Sequence, residues 1–171
     1  LLSQRVKVSI CIASHNMGHL LQEAIESCEM QDYKNIEIVV LDDASTDNTS
    51  ELPVFKYPYV KYFRSESPSG TGGAFNKAIL NSTGDIIVLL CADDVFTDQR
   101  VISDIVEEFC DVSVGHVSRY YYQFVDGDRR PVRAWHNDDI IELANNPTGL
   151  AFRRLAIEGC ELSNKMFVEA S

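Results

Sequence analysis

The sequence predicts an α/β protein of three layers, with helices on both faces of a mostly parallel central sheet. Two observations carry this prediction. Short apolar segments rich in β-branched residues alternate with segments whose apolar residues recur at helical spacing. Acidic, serine-rich or glycine-rich turns follow the apolar segments. Because this alternation is typical of strands and helices wound into one open sheet, we expect a ligand site at the carboxyl ends of the strands.

The first strand and the first helix are predicted between residues 6 and 28. Residues 6–13 (VKVSICIA) are short, apolar and rich in β-branched residues, as expected for a buried parallel strand. A turn over residues 14–18 separates this strand from an amphipathic helix. The apolar positions that predict the helix are Leu20, Leu21, Ala24, Ile25 and Cys28.

Three further strands follow along the chain. They are predicted at residues 36–41 (IEIVVL), 60–64 and 86–91 (IIVLLC). A Ser/Gly/Pro loop over residues 65–73 precedes a predicted helix at residues 74–80. The alternation of strand and helix therefore continues without interruption to the end of the strand at residue 91.

The second half of the chain is less regular. A third helix is predicted from apolar residues on one face, namely Val101, Ile102, Ile105, Val106 and Phe109. Residues 112–125 are predicted to form a strand that enters a hairpin turn at residues 126–128. Residues 149–153 are predicted to form one more short strand.

Length and charge limit the class of protein. A chain of 171 residues with 45% hydrophobic residues can bury one core, so we expect a single domain over residues 1–171. The net charge of -11 argues against a nucleic-acid partner, because such binding depends on Lys and Arg at the phosphates. Because the protein is negatively charged, a bound phosphate compound would need a metal ion to offset the repulsion between the two.

Cysteine spacing and hydropathy predict a cytoplasmic protein. The five cysteines form no CxxC pair and lie far apart, which fits a reducing compartment better than a zinc site or a disulfide framework. No apolar run approaches the roughly 20 residues that a transmembrane helix requires. Because the sequence begins at Leu1 without a methionine, we expect a piece of a larger protein, whose other segments would make any contact with a membrane.

Three polar clusters lie at the predicted strand ends or the start of a helix: Asp42-Asp43, residues 69–73, and Asp93 with Asp94. Considered alone, each cluster is also explained by ordinary turns and helix caps. Asp93 and Asp94 directly follow an apolar strand, and their carboxylates are ligands that Mg²⁺ and Mn²⁺ prefer. The alternative is that Asp94 or Asp98 caps the following helix.

The glycine-rich loop and the first histidine are further candidates. Backbone N–H groups of residues 67–73, which include Gly72, would face a diphosphate if the loop opens a helix. The loop has neither the GxxxxGK nor the GxGxxG spacing, so a flexible turn with an N-cap explains it as well. His15 follows the first strand and would line the same crevice, whereas the other histidines show no ligand spacing.

Longer motifs combine these clusters. They are Ser14-His15-Asn16, QDYKNIE (31–37), DDASTDNT (42–49), GGAFNKA (72–78) and NPTGLAFRR (146–154). Together they closely resemble family 2 glycosyltransferases of the Rossmann-like GT-A fold, most clearly over residues 6–110. The resemblance implies a nucleotide-sugar-binding half at residues 6–110 and a partial acceptor-side half at residues 111–171.

The resemblance also implies roles for single residues. Asp43 would accept a hydrogen bond from the base of the nucleotide, and Ala13 and His15 would flank that base. Asp93 would lie near the ribose and the diphosphate. Asp94 would bind the cofactor, Mn²⁺ or Mg²⁺.

The sequence departs from the family pattern at several positions. The usual D-x-D opening is Cys91-Ala92-Asp93 here, so the first carboxylate is lost, and His15 replaces the usual aromatic residue of the first turn. The family's catalytic base is an acidic residue of an E-D motif near the end of the domain. Glu169, followed by Ala170, is the candidate in this chain, and an ordinary exposed terminal glutamate is the alternative.

The implied activity is metal-assisted, inverting transfer of a sugar from a nucleoside-diphosphate sugar, with UDP favoured, to a saccharide, lipid-linked or protein hydroxyl. The alternative is a catalytically inactive nucleotide-sugar-binding module of a larger protein. A nucleotidyltransferase or a dehydrogenase is disfavoured, because residues 14–18 offer neither a lysine in a glycine-rich loop nor GxGxxG. Because the acceptor-side motif begins only at residue 146, we expect this chain to bind donor nucleotide but to transfer sugar poorly.

Overall fold

The computed structural model describes residues 6–117, 121–125, 128–132 and 148–158. This part of the chain contains eight β-strands and three α-helices. The strands are β1 (Val8–Ser14), β2 (Ile36–Asp42), β3 (Val60–Arg64), β4 (Ile86–Cys91), β5 (His116–Val117), β6 (Tyr121–Val125), β7 (Asp128–Val132) and β8 (Ala151–Arg153). The helices are α1 (Gly18–Glu29), α2 (Gly70–Leu80) and α3 (Val101–Glu108).

Six of these strands form one sheet in the order β3-β2-β1-β4-β8-β5. The first four strands in this order are parallel, β8 is antiparallel to β4, and β5 is antiparallel to β8. The strands β6 and β7 pair antiparallel in a separate hairpin. From β1 the chain passes to β2 and β3 on one side and then to β4 on the other side, so the strand order reverses between β1 and β4. Ligands of open α/β sheets bind at such a reversal point.

Both faces of the parallel strands are buried under helices. One face packs against α1 and α3 through Ile10, Ile12, Ile38, Val40, Val88 and Leu90. The opposite face packs against Ala74, Phe75 and Ala78 of α2 through Cys11, Val39, Leu41, Ile87 and Leu89. Strands that are buried on both faces appear in a sequence as continuous apolar runs, which is why they were predictable. The predicted three-layer α/β/α architecture with a mostly parallel sheet is confirmed.

The main difference in the first half is the start of α2. The helix was predicted at residues 74–80, but it begins at Gly70. The carboxylate of Asp43 accepts hydrogen bonds from the backbone N–H groups of Ser69 (2.7 Å) and Gly70 (2.9 Å). The helix cap therefore comes from the end of β2, which no local pattern reveals. Gly73 permits the tight first turn, because a Cβ there would lie 2.7 Å from Ser69 Cβ.

The single strand predicted over residues 112–125 is wrong. Residues 116–117 form β5, and the first strand of the hairpin is the separate segment 121–125. Strand β5 is short because its partner β8 has only three residues, and His116 and Val117 pair with two of them. The described residues leave out 118–120 and 126–127, so most of the predicted turn lies outside them.

A network of hydrogen bonds around one buried carboxylate holds the amino-terminal ends of β1 and β2. The Glu37 carboxylate of β2 accepts hydrogen bonds from Lys7 Nζ (2.8 Å), Lys61 Nζ (2.8 Å) and Ser9 Oγ (2.6 Å). It also accepts one from the backbone N–H of Thr83, which leads into β4 (2.5 Å). Burial by itself raises the pKa of Glu37, but these hydrogen bonds outweigh burial and hold its pKa well below the usual range.

Replacing this carboxylate is expected to destabilise the fold in a pH-dependent way. Glu37→Gln should lower the free energy of unfolding at pH 7 by about 2–4 kcal/mol, because these donors lose their charged acceptor at a buried position. A lowered pKa contributes stability above the ordinary glutamate pKa and loses it as the pH falls. The difference from wild type should therefore shrink by about 1.4 kcal/mol per pH unit below the ordinary value.

Urea unfolding at several pH values measures this effect. Glu23→Gln, the same change at an exposed position of α1, is the matched control and should leave the unfolding midpoint unchanged. A Glu37→Gln protein as stable as wild type at pH 7 would contradict the prediction.

Candidate active site

A cavity of about 420 Å³ opens at the carboxyl ends of β1 and β4, where the strand order reverses. Its lining residues are Ala13, Ser14, His15, Met17, Asp43, Pro68, Gly70, Thr71, Ala74, Cys91, Ala92 and Asp93. The residues predicted from the sequence to bind nucleotide are thus brought together, with the exception of Gly72. Gly72 is buried inside α2 and is not among the lining residues.

A second cavity, of about 640 Å³, lies at the opposite end of the strands, near the start of β2. Its lining residues are Asp32, Tyr33, Lys34, Asn35, Ser103, Val106 and Glu107. It contains none of the predicted site residues, and it lies beside the start of β2 rather than at strand carboxyl ends. The smaller cavity is therefore the candidate site.

Asp43 forms one wall of the cavity and is almost fully buried, with 4% exposure. One carboxylate oxygen accepts the backbone N–H groups of Ser69 and Gly70, as described for α2. The other oxygen accepts a hydrogen bond from the hydroxyl of Ser69 (2.7 Å) and lies 3.9 Å from Lys77 Nζ. Asp43 is thus oriented by the start of α2, and its second oxygen is the less occupied of the two.

Asp42 supports the same loop from inside the protein. It is completely buried and accepts hydrogen bonds from the backbone N–H of Ser45 (2.8 Å), Tyr62 OH (2.6 Å) and Arg64 Nη1 (3.2 Å). Burial and the charge of Asp42 raise the pKa of Tyr62 to about 12, so this phenol remains a donor. Between the two aspartates and Ser45, Ala44 has a φ of 61°, a left-handed conformation that costs a non-glycine residue about 1 kcal/mol.

His15 is held in one orientation and one tautomer. Its Nδ1 lies 2.7 Å from the carbonyl oxygen of Asp43, and its Nε2 lies 3.1 Å from the Asn16 amide nitrogen. Because a carbonyl only accepts, Nδ1 carries the hydrogen and Nε2 accepts from Asn16. Asn16 is fixed in turn, since its Oδ1 accepts the backbone N–H of Thr46 (2.7 Å). The sequence motif indicated His15 but not this supporting role of Asn16.

Cys91, Asp93 and Asp94 form a possible metal-binding group at the end of β4. One ligand atom from each residue lies within 4.8 Å of the others. Asp98, and not Asp94, contacts the start of α3, because its carboxylate accepts the backbone N–H of Arg100 (2.8 Å). Asp94 instead accepts a hydrogen bond from the Thr148 hydroxyl. Asp98 therefore stabilises the turn that leads into α3, and Asp94 takes no part in that turn.

The electrostatics of this group fit a divalent cation. Burial raises the pKa of Asp94, and the neighbouring charge of Asp93 adds to this effect, while the hydrogen bond from Thr148 opposes it. A bound cation would relieve both unfavourable contributions. The two carboxylates are oxygen ligands of the kind that Mn²⁺ and Mg²⁺ take, and Asp93 is exposed toward the cavity side.

Two predicted features fall outside this geometry. Glu169, the candidate catalytic base, lies outside the described residues, as do Asn146 and Pro147 of the acceptor-side motif. Thr148 of that motif is described, and its contact with Asp94 was not predicted. The sequence carried no signal for this contact, because the two residues are 54 positions apart.

The fold and the cavity define an α/β protein whose candidate site lies at the switch point of a doubly wound sheet. Comparison with known sequences is more specific, since residues 9–168 match the family described as glycosyl transferase family 2. The chain therefore belongs to glycosyltransferase family 2. An uncharacterized glycosyltransferase of Nostoc sp. is 30% identical over 137 residues, which are 74% of this chain and 40% of that relative.

Solved structures share the fold. S. aureus TarS in complex with UDP-GlcNAc has a TM-score of 0.74 at 22% identity, over 90% of this chain and 47% of that chain. The mannosyltransferase PcManGT from Pyrobaculum calidifontis in complex with GDP-Man and Mn²⁺ has a TM-score of 0.71 at 23% identity, over 91% of this chain and 46% of that chain. The predicted GT-A fold is thereby confirmed.

The extent of these matches is partial. This chain spans 40% of the Nostoc relative and less than half of each solved chain.

Within residues 6–117 and the other described segments, no helix combines the length and the apolar character that crossing a membrane requires.

Proposed function

We propose that this chain binds a UDP-linked sugar as the donor of a glycosyl transfer. The sugar is transferred with inversion to an acceptor hydroxyl. One observation carries the proposal: the cavity at the carboxyl ends of β1 and β4 is lined by His15, Asp43 and Asp93. Asp93 belongs with its neighbour Asp94 to the possible metal-binding group. This arrangement offers separate positions for a base and for a diphosphate. The acceptor is proposed to be a saccharide, a lipid-linked sugar or a protein.

The base would lie between Ala13, His15 and Asp43. His15 presents an aromatic ring whose orientation is fixed, and the less occupied oxygen of Asp43 would accept the N3–H that uracil offers. TarS was crystallised with UDP-GlcNAc, which supports a uridine nucleotide, whereas PcManGT was crystallised with GDP-Man. Guanine also offers N–H donors, so the preference for uracil needs a direct test.

Asp94, with Asp93 beside it, would hold a divalent cation, Mn²⁺ or Mg²⁺. When bound, the cation neutralises negative charge that develops on the leaving diphosphate. The Mn²⁺ in the PcManGT complex supports this choice. The protein's own contribution is to hold the two carboxylates at the end of β4, where Thr148 fixes one of them.

Inversion needs a base that removes the proton of the acceptor hydroxyl on the face opposite the leaving diphosphate. Glu169 is our proposed base, and it belongs to the residues outside the described structure. The alternative is a nucleotide-sugar-binding module without turnover. The observation that favours this alternative is Cys91, which stands where the family pattern has a first carboxylate.

Calorimetric titration with UDP, GDP and TDP, each with and without Mn²⁺, tests the proposal. We expect UDP to bind more tightly than GDP, and Mn²⁺ to raise its affinity by about 10-fold or more, since a cation screens the diphosphate from Asp93 and Asp94. Failure of all three nucleotides to bind would contradict the proposed donor site. Release of UDP from a UDP-sugar would separate an active transferase from an inert binding module.

A further inference from the structure

The hydroxyl of Thr148 connects the acceptor-side strand β8 to the proposed cation site. Its Oγ1 lies 3.1 Å from the backbone nitrogen of Cys91 and also bonds to Asp94 Oδ2. The direction of both bonds follows from the chemistry of the groups. The N–H of Cys91 only donates, so Oγ1 accepts from it and gives its own hydrogen to the Asp94 carboxylate.

The pairing of β4 with β8 explains how Thr148 reaches this position. Beyond the paired residues, Leu89 N donates to the carbonyl of Leu150 (2.9 Å), and Gly149 N donates to the carbonyl of Leu89 (3.0 Å). Gly149 then turns the chain with a φ of 79°, which favours glycine. The next N–H of β4 on this side, that of Cys91, is bonded by the Thr148 side chain in place of a backbone carbonyl.

This geometry gives Thr148 a specific task. The next residue, Gly149, is bonded to β4, and the hydroxyl of Thr148 accepts from the Cys91 N–H and donates its hydrogen to Asp94. Asp94 is thereby held with one oxygen engaged, and its other oxygen remains for a ligand. Groups that hold a metal-binding carboxylate in this way commonly change metal affinity by about 10–100-fold when they are removed.

We propose that Thr148 is a positioning residue that sets the orientation of Asp94 and thereby the affinity of the donor site for its divalent cation. The inference rests on the proposed function, since it assumes that Asp94 binds the cation. It adds a physical link between the two halves of the chain.

The test uses Thr148→Val, which keeps the shape of the side chain and removes both hydrogen bonds. UDP is titrated calorimetrically at a series of Mn²⁺ concentrations. We expect the Mn²⁺ concentration needed for half-maximal enhancement of UDP binding to rise by about 10-fold or more. UDP affinity without metal should stay within about 2-fold of wild type, because Thr148 itself is not among the residues that line the cavity.

Three further variants separate positioning from folding. Thr148→Ser retains the hydroxyl and should restore the wild-type Mn²⁺ dependence. Thr148→Ala removes the hydroxyl without placing a methyl group against Asp94, and it serves as the test if the valine variant folds poorly. Thr97→Val makes the same chemical change at an exposed position after β4 and should behave as wild type.

The outcomes distinguish this inference from the proposed function. If wild type binds UDP in an Mn²⁺-dependent way and Thr148→Val and Thr148→Ala do so equally well, the positioning role is wrong and the proposed function stands. If serine fails to restore the Mn²⁺ dependence that valine loses, the hydroxyl is also not responsible. Wild-type binding that ignores Mn²⁺ would overturn the cation site and this inference together.

Discussion

Asp94→Asn is expected to lower the Mn²⁺-dependent affinity for UDP by about 100-fold or more, since loss of a charged metal ligand costs several kcal/mol. Asparagine keeps the size of the side chain, and its amide oxygen can still accept the hydrogen of Thr148. The fold should therefore be preserved. Calorimetric titration with UDP in the presence and absence of Mn²⁺ measures the effect.

The stability of Asp94→Asn provides an independent check. The pKa of Asp94 is raised by burial and by Asp93, so its charged form is less favourable in the folded protein than in the unfolded chain. Removing the charge should leave the thermal unfolding midpoint at or above that of wild type. Asp98→Asn removes the same charge at the start of α3 and is the matched control for UDP binding. Equal Mn²⁺ dependence in Asp94→Asn and Asp98→Asn would rule out Asp94 as the ligand.

Burial on both faces made the parallel part of the fold predictable from the sequence. Strands β3 and β4 have the predicted bounds, and the apolar run of β4 ends in a polar turn. The second half lacks such runs. A two-residue strand such as β5 exists because of its pairing with β8, and pairing between distant segments leaves no periodic pattern in either one.

The candidate site was predictable as a location more than as a set of contacts. The motifs placed His15, Asp43 and Asp93 at strand ends, and the topology brings all three to one cavity. Most of the contacts that hold the site were not predictable, because they join residues that are far apart in the sequence. Asp43 caps a helix that begins 27 residues later, and Thr148 reaches Asp94 over 54 residues.

The cap formed by Asp43 complicates the usual test of its proposed role in base recognition. Asp43→Ala is expected to lower the affinity for UDP by about 10–100-fold, which corresponds to the loss of one hydrogen bond to a charged acceptor. The same substitution removes the acceptor for Ser69 and Gly70, so it should also destabilise the start of α2 by about 1–2 kcal/mol. Loss of binding in this variant alone would not distinguish recognition of the base from distortion of the helix.

A change in the ligand separates the two roles, because it leaves the helix cap intact. UDP methylated at N3 of uracil lacks the proposed donor, and wild type should bind it about 10–100-fold more weakly than UDP. Asp43→Asn removes the charge at nearly the same shape, so it should bind UDP more weakly and discriminate less between UDP and the methylated form. Competition titrations of both proteins with both nucleotides measure this coupling. If wild type and Asp43→Asn lose the same factor on methylation, the methyl group acts by size alone, and Asp43 is a structural cap that does not read the base.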